Sequence, residues 1–129
     1  MVSLLAENDI NIRALTVSEI GETALIRFIV DNALWTASIL KNAGYHAQLS
    51  DVAVVKISNV PGGLARILET LHYAEVNIEH MYSIMTNKFL FWEEHNAYVV
   101  LDVDNFAKAS EAFNKAGIRI IKQGEIVGL

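Results

Sequence analysis

The residues best suited to binding chemistry are Pro61, Gly62 and Gly63, which precede a helical pattern in the segment KISNVPGGLARILETL (56–71). The first amides of a helix have no partner inside the helix, and the helix dipole makes that end mildly positive. Glycine allows a positive φ and removes a Cβ that would keep a ligand away, while proline fixes one φ. The turn could therefore hold a carboxylate, or it could serve only to reverse the chain tightly.

No other group of side chains forms a pattern typical of catalysis or metal binding. The segment WEEH (92–95) places two carboxylates beside an imidazole, which could support acid–base chemistry, but a solvated hairpin tip is the favoured interpretation. The sequence contains no nucleophile in a recognisable frame, no phosphate loop and no dinucleotide fingerprint. We therefore predict a non-catalytic protein with no cofactor and no metal site. The histidines, which lack the close helical spacing of a zinc site, are His46, His72, His80 and His95.

The composition limits the classes of protein to which the chain can belong. Its 129 residues suffice for one domain or two very small ones, and the mean hydropathy of +0.31 is high for a soluble protein. The net charge of −5 argues against a nucleic-acid partner, and no apolar run approaches the roughly 18 residues of a membrane span. The absence of cysteine excludes disulfides and thiolate metal sites. With no signal-peptide pattern either, we expect a cytoplasmic protein with no membrane partner.

The elements that would position the glycine turn occur twice. AENDINIRAL (6–15) resembles HYAEVNIEHM (72–81), which lies 66 residues later. IVDNALWTASILKNAGY (29–45) resembles DVDNFAKASEAFNKAGI (102–118), which lies 73 residues later, so the second copy contains a seven-residue insertion. Such self-similarity predicts two copies of one structural unit.

Each copy predicts the same order of elements. Helices end near Asn8 and Ala74, and runs rich in Ile, Val, Phe and Tyr then predict two strands in each copy. A second helix follows, with Asp-Asn at its N-terminus and glycine (Gly44 or Gly117) just past its end. The predicted strands are 10–18, 24–30 and 47–57 in the first copy and 77–86, 97–103 and 118–129 in the second, with helices at 34–43 and 106–116.

The second copy also has a strand at 52–57 and a helix whose apolar residues Leu64, Ile67, Leu68 and Leu71 share one face. Its full order, strand–helix–strand–strand–helix–strand, is that of the ferredoxin-like fold. We therefore predict an α+β protein of two ferredoxin-like (βαββαβ) units in tandem with antiparallel sheets, at residues 1–50 and 51–129.

The first copy lacks the leading strand. The C-terminal segment EIVGL (125–129) corresponds, at the 73-residue spacing, to the leading strand VAVVK (52–56) of the second copy. One interpretation is that 125–129 fills the vacant place, from the same chain or from a partner. The other is that the start codon has been assigned too late.

The segment SNVPGGLARILETLHYAEVNI resembles the signature of the ACT domain, in which a strand, Asn/Asp-x-Pro-Gly and a helix precede "INI" or "VNI". AENDINIRAL resembles the second half of the same signature, so the resemblance covers essentially the whole chain as a tandem pair. It implies a regulatory module that binds an amino acid between paired domains. Separately, the edge strands of the predicted sheets and the high apolar content favour a homodimer or higher homo-oligomer.

By this resemblance, the ligand would lie between the glycine turn of one unit and the second strand of its neighbour. The turn amides would hold a carboxylate, and the side-chain oxygens of Asn59 and Asn11 would accept from an ammonium group. The implied ligand-binding residues are Asn59, Val60, Pro61, Gly62, Gly63 and Leu64 in the turn and Asn11, Ile12 and Arg13 in the strand.

Two details limit this expected site. Arg13 could reach an acidic ligand, but a surface position is the favoured interpretation. Asn77 and Ile78 match the strand motif in the second copy, yet they would face a glycine turn that the first copy lacks, unless a partner chain supplies it. We therefore expect one site per chain.

The alternative function is a ligand-free subunit that regulates a metabolic enzyme by contact. Exposure of the apolar segment FLFW (89–92) would favour it.

Overall fold

The computed structural model describes residues 1–58, 61–84 and 96–122, and the chain divides into two compact units, Met1–Ser50 and Asp51–Leu129. The described residues form a mixed α+β structure with antiparallel sheets, as the sequence predicted. Within these residues, no helix has both the length and the apolar character needed to cross a membrane.

The first unit contains a two-stranded antiparallel sheet and two helices. Its elements are α1 (Val2–Glu7), β1 (Ile12–Ile20), β2 (Thr23–Val30) and α2 (Ala33–Asn42). Helix α2 begins at Ala33, one residue before the predicted start, and the side chain of Asn32 caps it by accepting a hydrogen bond from the backbone N–H of Trp35 at 3.1 Å. Asn32 alone is the N-cap, since Asp31 has a different partner, described below. The buried apolar residues of this unit are Leu5, Ala14, Val30, Ala37, Ile39 and Leu40.

The described residues of the second unit form three antiparallel strands in the order β3-β5-β4. Its elements are β3 (Ala53–Ser58), α3 (Gly63–Tyr73), β4 (Ile78–Ser83), β5 (Asn96–Val103) and α4 (Phe106–Lys115). An antiparallel bridge between Val55 and Ile120, and a 2.7 Å bond from Ile121 N–H to the Val54 carbonyl, place the chain after α4 beside β3. This arrangement follows the ferredoxin-like order of strands. Of the strand predicted at 118–129, residues 123–129 lie outside the described residues.

Helices α3 and α4 pack on one face of the second sheet. Phe113 and Leu71, at 0% and 1% exposure, meet Val55 and Leu101 of the sheet in one apolar cluster. Of the four apolar residues predicted on one face of α3, only Ile67 and Leu71 are buried, whereas Leu64 and Leu68 remain 38% and 37% exposed. The apolar stripe is therefore wider than the surface that the sheet covers.

The predicted strand at 47–57 is wrong in its first half, because β3 begins only at Ala53 and residues 45–52 have no regular structure. Residues 48–51 are exposed and include Gln48, Ser50 and Asp51, which are not strand formers. The continuous apolar run that is typical of a buried strand starts only at Val52.

Candidate functional site

Gly62 is the N-cap of helix α3 and has a left-handed backbone conformation, with φ +88° and ψ −10°. A Cβ built on Gly62 would meet no heavy atom of the described residues within 4 Å. Glycine is therefore needed here for its backbone conformation and not because of crowding.

The start of α3 presents amides that lack a partner in the described part of the chain. The first helical hydrogen bond runs from Arg66 N–H to the Gly62 carbonyl at 3.1 Å, and Gly62 has no side chain with which to cap the helix. Among the described residues, none accepts a hydrogen bond from the amides of Gly63, Leu64 or Ala65. Such an end attracts an anion, since its donors and the helix dipole act together. Asn59 and Val60, which were predicted to complete the turn, lie outside the described residues.

Arg13 is the extra residue of a β-bulge at the start of β1. Ile12 lies opposite Val30 and Ala14 lies opposite Ile29, so two steps along β1 match one step along β2. A bulge changes the direction in which a strand residue presents its side chain.

The second unit has a bulge at the equivalent position. Ile78 lies opposite Val103 and His80 lies opposite Asp102, which makes Glu79 the extra residue. Glu79 follows Arg13 by 66 residues, the spacing of the sequence repeat. Both Asn-Ile motifs therefore lead directly into a bulge, but the bulged side chains carry opposite charges.

The predicted surface position of Arg13 is wrong, because Arg13 is only 8% exposed. Its Nε donates to Asp31 Oδ1 at 2.7 Å and its Nη2 donates to Asp31 Oδ2 at 3.2 Å. The side-chain hydrogen bond to Asp31 raises the pKa of Arg13, with a further contribution from the attraction between the two charges, whereas burial opposes both. The flat guanidinium group matches a carboxylate with two parallel bonds, so Arg13 is neutralised inside the first unit.

Asn77 is held by Asp104 in the second unit. The backbone N–H of Asn77 donates to Asp104 Oδ1 and its side-chain Nδ2 donates to Oδ2, both at 3.1 Å. The backbone N–H of Asp104 returns a 3.1 Å bond to the Asn77 carbonyl. Asn11, the equivalent residue of the first unit, is exposed and makes no hydrogen bond to any other residue in the described ranges.

The glycine turn and the Asn77–Ile78 motif lie at opposite ends of the second sheet. Ser58, which leads into the turn, is opposite Asn96, whereas Ile78 is opposite Val103. Seven residues of β5 separate these positions, which is about 23 Å at the usual rise of a strand. A free amino acid is much shorter than this distance. One amino acid therefore cannot contact both the glycine turn and the Asn77–Ile78 motif of the second unit.

Two open clefts lie elsewhere on the second unit. One, of about 720 Å³, lies between α4 and the residues that follow it, and the other, of about 590 Å³, lies between α3 and α4. Neither is lined by a residue of the glycine turn. Within the described ranges, no three His, Asp or Glu side chains form a group suited to a metal ion.

Comparison with known proteins gives a family match and a structural match. A family model described as "ACT domain pair" matches residues 1–128. Among solved structures, protein BT0572 from Bacteroides thetaiotaomicron is similar, with a TM-score of 0.86 and 28% sequence identity over 99% of this chain and 84% of that one. No curated protein matches.

Proposed function

Because this chain belongs to the family of ACT domain pairs, we propose that it is a regulatory protein that binds an amino acid between ACT-type units. ACT domains are in general regulatory, non-catalytic modules, and they often bind amino acids. In this proposal the two modules are residues 1–50 and 51–129.

The observation that carries the proposal is the uncapped start of α3. The amides of Gly63 and Leu64 have no acceptor among the described residues, and the N-cap Gly62 has no side chain that could bond to them. A ligand carboxylate would satisfy both donors and would gain from the dipole of an 11-residue helix.

Asn11 would supply the second half of the site from a different unit. The separation of the glycine turn from Asn77 supports this arrangement, because the strand of the same unit is out of reach. The side-chain oxygen of Asn11 would accept from the ligand ammonium group, together with Asn59. Pro61, Val60 and Ile12 would shape the site without bonding to the ligand through their side chains.

Binding would act by favouring one arrangement of the units. A ligand that bridges the turn and the strand stabilises only the arrangement that brings them together, and this difference in affinity is the source of any regulatory signal. The same logic applies if the strand comes from a second chain, in a homodimer or a larger homo-oligomer.

A second candidate function is a ligand-free subunit that regulates a metabolic enzyme by contact. The observation that favours it is the exposure of two large apolar side chains, Leu34 at 75% and Trp35 at 53%, on the first turn of α2. The segment 89–92, whose exposure would also favour it, lies outside the described residues.

Thermal unfolding of the full chain in the presence of each of the twenty amino acids tests the proposal. A ligand present at one hundred times its Kd stabilises the folded state by about 2.7 kcal/mol, which raises Tm by several degrees. We expect one amino acid, or a small group of related ones, to do so, and titration calorimetry to give one site per chain. Failure of all twenty, together with an unchanged Tm in Gly63→Val, would favour the ligand-free subunit.

A further inference from the structure

We propose that Arg13 is a positioning residue, which occupies the carboxylate of Asp31 and thereby leaves Asn11 available for the ligand. This inference rests on the proposed function, since it concerns the same site. It explains why one of the two Asn-Ile motifs would bind and the other would not.

The first observation is that Asn11 and Asn77 stand at the same place in the repeat but have different partners. Each asparagine directly precedes the first strand of its hairpin, and an aspartate, Asp31 or Asp104, directly follows the second strand. In the second unit the carboxylate of Asp104 holds both the backbone N–H and the side-chain Nδ2 of Asn77. In the first unit no described residue holds the side chain of Asn11.

The second observation is the reversal of charge at the bulge. Arg13 extends to Asp31 and donates to both of its carboxylate oxygens. The residue in its place in the second unit is Glu79, which has no proton to donate and would be repelled by Asp104. Asp104 is therefore left to accept from Asn77, whereas Asp31 is already occupied.

Together the two observations predict a single competent motif in each chain. Asn11 can present both its oxygen and its NH₂ group, whereas the NH₂ of Asn77 is already donated to Asp104. The negative charge of Glu79 next to Asn77 would also disfavour the carboxylate of a ligand. The Arg13–Asp31 ion pair thus determines that Asn11 of the first unit, and not Asn77 of the second, contacts the ligand.

The test substitutes the two bulge residues, Arg13 and Glu79, in separate variants and measures the asparagine side chains directly. Arg13→Gln removes the ion pair from the first unit, and Glu79→Arg installs the equivalent pair in the second. Side-chain amide signals of Asn11 and Asn77 are followed by NMR in the ligand-free protein, including their rates of exchange with water. Arg13→Lys serves as the conservative variant, because it keeps the positive charge beside Asp31.

We expect the NH₂ of Asn77 to exchange more slowly than that of Asn11 in the natural chain. In Arg13→Gln the exchange of the Asn11 side-chain NH₂ with water should become slower. The affinity of the protein for its ligand should fall about tenfold, which corresponds to one lost hydrogen bond. The Arg13→Lys variant should retain much of the fast Asn11 exchange and much of the ligand affinity. In Glu79→Arg the exchange of the Asn77 side-chain NH₂ with water should become faster.

The inference is overturned if Asn11 exchange is unchanged in a folded Arg13→Gln protein. Should that variant fail to fold, Glu79→Arg decides alone, and an unchanged Asn77 signal in it contradicts the inference. The amide measurements need no ligand, so they distinguish this inference from the proposed function. If no amino acid binds the natural chain, the proposed function fails, while the exchange rates still determine whether Arg13 controls Asn11.

Discussion

Arg13 and Asp31 form a two-bond ion pair in which Nε lies 2.7 Å from Oδ1 and Nη2 lies 3.2 Å from Oδ2. The side chain of Arg13 is 10% exposed and that of Asp31 is 30% exposed. Water therefore competes only weakly for the hydrogen bonds between them. The pair joins the bulge of β1 to the residue that follows β2. It is thus part of the framework of the first unit as well as of the candidate site.

Asp31→Asn should lower the free energy of unfolding by about 1–2 kcal/mol, because it removes the negative charge that accepts two hydrogen bonds from a largely buried guanidinium group. Denaturation by urea, followed by circular dichroism, measures this change. The matched control is Glu111→Gln, which removes the charge from the exposed Glu111–Lys115 pair, whose atoms are 2.9 Å apart. The control should leave the midpoint of urea denaturation unchanged. An equal loss of unfolding free energy in the two variants would contradict the structural role of Asp31.

Gly62→Ala should lower the free energy of unfolding by about 1–2 kcal/mol, since a residue with a Cβ is strained at φ +88°. Gly44→Ala is the matched control, because Gly44 has φ +90° and equally open surroundings in the first unit. Both variants should therefore lose similar stability in urea titrations. Only Gly62→Ala should also weaken ligand binding in calorimetry, and equal affinities for the two variants would argue against the glycine turn as the carboxylate site.

Asn77 and Asp104 should be energetically coupled. Asn77→Ala and Asp104→Ala remove overlapping sets of hydrogen bonds, so we expect each to cost about 1 kcal/mol and the double variant to cost clearly less than their sum. A double-mutant cycle measured by urea denaturation gives the coupling energy. Strict additivity would mean that the bond from Asn77 Nδ2 to Asp104 Oδ2, the one bond that both variants remove, contributes nothing to stability.

Phe113→Ala should be among the most damaging changes in the second unit, at about 3–5 kcal/mol, because Phe113 is completely buried between α4 and the sheet. Phe106→Ala, at the start of the same helix, removes the same group from a half-buried position and should cost less. Guanidinium titrations of both variants test this order. The reverse order would place the centre of the core nearer the start of α4.

Local features of the fold could be predicted from the sequence, because their causes lie within a few residues. Asn32 and Asn105 each accept a hydrogen bond from the backbone N–H three residues later, as their positions before apolar helical patterns indicated. The α+β class and the family resemblance followed from the repeated Asn-Ile motifs and the glycine turn, and the family match over residues 1–128 confirms the resemblance.

Contacts between distant residues could not be predicted in this way. Arg13 and Asp31 are 18 residues apart and meet only because the β1–β2 register and its bulge bring them together. The pairing of Asn77 with Asp104, 27 residues later, also depends on the register of β4 and β5. Likewise, only the pairing of β3 and β4 with β5 separates the glycine turn from the second Asn-Ile motif.

The sequence by itself determined which segments become helices, how they begin, and that the chain is built from repeated α+β elements, since short-range capping and hydrophobic periodicity act within one segment. The tertiary structure alone decided which polar side chains are held and which remain available. That choice depends on strand register, and a shift of one residue in a strand reverses the face on which every side chain lies.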